Sequence, residues 1–76
     1  MIDVLAVDPK DGWAYVRKGT RTMLIRPPYR IALAATARDV MIAVTRNSYT
    51  ACERTLSTWD DVKAFVRGEV AAHRGK

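Results

Sequence analysis

Few residues in this 76-residue chain have the types and spacing that chemistry needs. The one histidine, His73, stands near the end of a helix-like segment, where a favourable dipole contact accounts for it. The one cysteine, Cys52, has no base near it in sequence and reads as a small buried hydrophobe. Asp60 and Asp61 are adjacent, so they read as charges at a helix start rather than as a convergent acid–base pair. A zinc site within one chain lacks the second histidine or cysteine that it needs. The stretch "DPKDG" at 8–12 lacks the alternating oxygen ligands and distal glutamate of a calcium loop. There is no glycine-rich phosphate loop and no nucleophile elbow. The expectation is a non-enzymatic protein with no catalytic residue, cofactor, metal or small-molecule substrate.

The residues that could bind a partner are concentrated in "WAYVRKGTRTMLIRPPYR", 13–30. This stretch holds five basic side chains, no acidic one and three aromatic rings. The net charge is +5, and the remaining eight basic residues balance the eight acidic ones, so the excess is local. A local positive excess attracts polyanions and acidic protein surfaces. The candidate partner-binding residues are Trp13, Arg17, Arg21, Arg26, Tyr29 and Arg30. Trp, Tyr and Arg are enriched where proteins meet, so another protein, or a second copy of the chain, is the expected partner. The rival is a nucleic acid, since a basic β-ribbon can enter a major groove and aromatic rings can stack on bases. What separates the readings is whether Trp13 and Tyr15 face the core or the surface.

Composition bounds the rest. At 49% hydrophobic and 28% charged, the chain is that of a soluble globular domain, read as one unit spanning 1–76. A core this small supplies only roughly 3–5 kcal/mol of net stability, a shortage that oligomerisation relieves. A single cysteine permits no intrachain disulfide. The first ten residues show no basic leader followed by an apolar stretch, and no apolar run approaches the roughly 20 residues that span a bilayer. A cytoplasmic location without membrane contact is expected.

The elements that must position these residues follow from pattern and punctuation. "IDVLAV" at 2–7 reads as a strand that ends at the turn residues Pro9 and Gly12. "WAYVRK" and "RTMLIR" flank Gly19-Thr20 as a tight hairpin. Alternation puts Trp13, Tyr15 and Arg17 on one face and Ala14, Val16 and Lys18 on the other. Met23 and Ile25 share a face of the next strand, which Pro27-Pro28 ends.

Residues 29–35 read as a connection. From Thr36, "TARD" forms a capping box, and Ala37, Val40, Met41, Val44 and Ser48 fall on one helical face, with Asn47 as the C-cap. The β-branched "VMIAV" also suits a strand, but cap and spacing together favour a helix. "TACERTL" at 50–56 reads as a further strand with Cys52 and Leu56 inward and Arg54 breaking the alternation. Ser57-Thr58 then caps a C-terminal helix with Trp59, Val62, Phe65, Val66, Val70 and His73 as its apolar stripe. Gly68 in this helix is expected to mark close packing or a bend, and 73–76 a frayed tail. The predicted class is α+β: a three-stranded antiparallel meander, a helix, a short strand and a C-terminal helix (β-β-β-α-β-α), with the helices packed on one sheet face.

Overall fold

The computed structural model describes residues 1–26, 28, 32–46 and 49–75. The strands are β1 (Ile2–Val7), β2 (Ala14–Lys18), β3 (Arg21–Ile25), β4 (Ala32–Ala35) and β5 (Thr50–Leu56). The helices are α1 (Ala37–Arg46) and α2 (Trp59–Arg74). The strands form one sheet in the order β4-β3-β2-β1-β5, and every neighbouring pair is antiparallel. The α+β class holds, with both helices packed against the sheet.

The meander forms as its punctuation dictates. The Asp8–Gly12 turn is held by the Gly12 N–H donating to the Asp8 carbonyl (2.8 Å), and Gly12 takes φ 78°. Lys18 pairs with Arg21 across the two-residue turn, where Gly19 adopts φ 64°, a value that L side chains rarely take. The segment 29–35, expected as a connection, contributes a further strand: Ala32–Ala35 pairs along β3. Its alanines have low strand propensity, and only pairing with β3 makes the segment extended.

A bulge in β1 decides which side chains form the core. Val4 pairs with Val16, but Ala6 pairs with Tyr15 and Val7 with Ala14, leaving Leu5 as the extra residue. The bulge returns Val7 to the face of Val4 and moves Ala6 to the other. Ile2, Val4, Val7, Ala14, Val16 and Ile25 thus make one apolar face, closed by Val62 and Val66 of α2. Met23, Cys52, Leu56, Trp59 and Phe65 pack around this core. Cys52 and Leu56 face inward as expected, and the Arg54 guanidinium lies 5.6 Å from the centroid of the Phe65 ring.

The two helices, expected on one face, divide the sheet between them. Tyr15 points away from the α2 core, since its neighbours Ala14 and Val16 point into it. Its ring meets that of Tyr49 at 5.3 Å, and the Tyr49 N–H donates to the carbonyl of Ala43 in α1. Both contacts place α1 on the Tyr15 face. The bulge also places Ala6, which is fully buried, on that face.

Both helix starts form as their sequences specify. In α1 the Asp39 N–H donates to Thr36 Oγ1 (3.2 Å) and the Thr36 N–H to Asp39 Oδ2 (2.7 Å), a reciprocal capping box. In α2 the Asp61 N–H donates to Thr58 Oγ1 at 3.1 Å. The buried position of α1 is Ala43, whereas Met41, expected inward, is 59% exposed. A small side chain occupies the place where helix and sheet approach closely. The expected cap Asn47 and the stripe residue Ser48 lie outside the described residues. Gly68 marks no close packing, because a methyl group added there meets nothing within 4 Å. His73 is exposed, and the helix continues through Arg74, with the Gly75 N–H on the Ala71 carbonyl at 3.0 Å.

Candidate interaction surface

The hairpin β2–β3 carries Arg17 and Arg21, and Trp13 and Arg26 flank it; Tyr29 and Arg30 lie outside the described residues. Trp13 and Arg26 are brought together. Each stands one residue beyond the paired Ala14 and Ile25, and the Arg26 guanidinium lies 6.0 Å from the Trp13 ring centroid. That is the outer limit of a cation–π contact. Trp13 is half-buried and Arg26 is exposed, so the pair presents part of an aromatic side chain with a charge near it.

Arg17 is placed apart from them. It stands opposite Thr22, four strand residues and about 13 Å from Arg26. Its Nη2 donates to Asp3 Oδ2 at 3.0 Å. Asp3 also accepts from Thr55 Oγ1 at 2.7 Å, so one carboxylate links β2, β1 and β5. The Thr55 hydroxyl first, and then Arg17, hold the Asp3 carboxyl below its ordinary 3.8. Asp3, Leu5, Arg17, Glu53, Arg54 and Thr55 line a shallow polar groove here.

Arg21 belongs to the turn end of the hairpin. It pairs with Lys18, whose ammonium lies 5.8 Å from the centroid of the Trp59 ring at the start of α2. The basic side chains of the hairpin therefore divide among three places: a Trp13–Arg26 unit, an Arg17–Asp3 ion pair, and a turn carrying Lys18 and Arg21. Alternation sends Arg17 and Lys18 to opposite faces.

Three features escaped the reading of the sequence. The first is the Tyr15–Tyr49 pair, which closes the α1 side; burial, then Tyr15 and the acidic Asp8 and Asp11, raise the Tyr49 phenol to about 12. Burial and Asp39 raise Tyr15 as well. The second is the Asp3 bridge, whose signal is an acid and a threonine at cross-strand positions, invisible until register is known. The third is an apolar row across the sheet, Ala6–Tyr15–Leu24–Leu33, which ends in a Leu33 that is 55% exposed.

The described residues hold no candidate metal centre. No group of three or more His, Cys, Asp and Glu side chains converges there. Burial, with Glu69 adding to it, pushes the Cys52 thiol to about 11, and its Sγ–H lies 3.5 Å from the Val4 carbonyl. A thiol so placed stays protonated near neutrality and is a poor nucleophile. No described helix is long and apolar enough to cross a membrane. No family model, curated protein or solved structure matches this chain.

Proposed function

We propose that this protein is a cytoplasmic, non-enzymatic module that acts by docking on another protein. The docking surface is the Trp13–Arg26 end of the β2–β3 hairpin, with Arg17 and Arg21 farther along it and Tyr29 and Arg30 following it in sequence. One observation carries this reading: Trp13 is partly exposed rather than fully buried in the core, with the Arg26 guanidinium 6.0 Å from its ring centroid. Pairs of this kind recur at the energetic centres of protein interfaces, where a large rigid ring and a planar cation lose little entropy on binding. The hairpin is also the source of the net positive charge, which favours an acidic partner surface and speeds encounter with it.

The test is affinity capture from the native host with the wild-type chain and a Trp13→Ala/Arg26→Ala variant. A partner recovered by the wild type is expected to fall at least tenfold with the variant, while circular dichroism shows the fold retained. Equal recovery by both proteins removes the hairpin as the docking surface. Micromolar binding to a random oligonucleotide at 50 mM salt, weakening steeply as salt rises, assigns the same surface to a nucleic acid instead.

A further inference from the structure

We infer that β4 is a self-pairing edge: two copies of the chain join β4 to β4, antiparallel, into one continuous ten-stranded sheet. The surface is distinct from the Trp13–Arg26 unit, so either reading can fail without the other.

Edge strands are usually protected from further pairing by a charge, a proline, a bulge or a covering element. Ala32–Ala35, "ALAA", has no charge and no proline, pairs with β3 without a bulge, and stands last in the sheet among the described residues. The opposite edge, β5, carries Glu53 and Arg54 on an exposed stretch.

Register then specifies how a second copy fits. A two-residue turn closes on a hydrogen-bonded pair, here Lys18 and Arg21, and bonded and non-bonded pairs alternate from there. Counting along β3, Thr22 and Leu24 direct their backbone groups to β4, where they meet Ala35 and Leu33. The N–H and carbonyl groups of Ala32 and Ala34 therefore point outward. A two-fold axis at Leu33 sets Leu33 of one copy opposite Leu33 of the other as a non-bonded pair. It is flanked by two bonded pairs of Ala32 with Ala34, so every outward group of β4 finds a partner. Non-bonded pairs bring side chains closest, with Cα atoms about 4.5 Å apart.

The exposed Leu33 is then covered by its own copy, and the row Ala6–Tyr15–Leu24–Leu33 continues into the same row of the second molecule. Such isologous contacts are self-complementary by symmetry. Among the described residues, charge does not oppose them. Antiparallel pairing sets the strand position of Arg26 of one copy opposite that of Thr22 of the other, three strand spacings or about 14 Å away, with Arg21 one residue farther along, beyond the screening length of about 8 Å at physiological salt. Two four-residue edges give an interface smaller than the standard of about 800 Å² per partner, so association is expected at micromolar concentration or above.

The test is sedimentation velocity on the purified chain across a concentration series. The weight-average mass is expected to rise from 8.5 kDa towards twice that value. Leu33→Lys, which sets like charges face to face, is expected to weaken association at least tenfold. Ala34→Pro removes only an outward N–H that the monomer does not use, and is expected to do the same. In a Cys52→Ala background, Leu33→Cys is expected to form a covalent dimer on mild oxidation, since non-bonded pairs lie within disulfide reach. A chain that stays monomeric at about 1 mM overturns the inference. So does a dimer that both edge variants preserve and Leu33→Cys fails to cross-link.

Discussion

At the scale of single residues, Asp3 is the most informative group. Its carboxylate accepts from Thr55 and Arg17 and so ties three strands together, which is why its pKa is lowered. A group whose folded pKa is depressed contributes stability that is present above the unfolded value and lost as pH falls through the folded one. The window here lies below the ordinary 3.8. Asp3→Asn is therefore expected to lessen the loss of stability as pH falls below about 4, read as urea midpoint against pH. Carbon-detected NMR titration of the wild type should find Asp3 titrating below 3.8. An ordinary midpoint there, with equal acid limbs for both proteins, removes the bridge from the account of stability. Register alone brings Asp3, Arg17 and Thr55 together, and nothing in their spacing along the chain announces it.

At the scale of elements, two glycines separate local from tertiary control. Gly19 at φ 64° is required by its turn, and a side chain there is strained even though the space is open. Gly19→Ala is expected to cost about 1 kcal/mol. Gly68 sits in ordinary helical backbone, exposed, with nothing within 4 Å of an added methyl. Gly68→Ala is expected to stabilise by about 0.5–1 kcal/mol through the backbone entropy of the unfolded chain. Thermal melts of the two variants should move in opposite directions, and parallel shifts would contradict this reading of the turn and the helix.

The hairpin, both helix starts and the α2 stripe from Trp59 to Val70 were legible because their causes are local: a positive φ, a capping hydroxyl, a period of 3.6; His73, expected in that stripe, is exposed. The strand β4 was not legible. "ALAA" has no intrinsic β signal, and its extended form comes from a neighbour distant in sequence.

At the scale of the whole molecule, the core is thin and uneven. Among the described residues, eight fully buried ones form the α2 side, none larger than isoleucine, while Ala6 and Ala43 are those of the α1 side. Val66→Ala, which removes two methyl groups from the fully buried side, is expected to cost about 2 kcal/mol. Met41→Ala, at a 59% exposed position of α1, is expected to change stability by less than about 0.5 kcal/mol. Chemical denaturation measures both, and a Met41→Ala cost equal to that of Val66→Ala would relocate the core.

The sequence by itself determined the α+β class, the alternation of the hairpin, the location of the net charge and the start of each helix. All of these are set by neighbours within a few residues, or by composition. Only the tertiary structure decided that a bulge at Leu5 sends Val7 to one face and Ala6 to the other, and that the two helices lie on different faces. It alone decided that Arg26 meets Trp13 while Arg17 is spent on Asp3, and that β4 ends the sheet. Those outcomes depend on strand register, which a sequence fixes only through the summed packing of faces that are far apart along the chain.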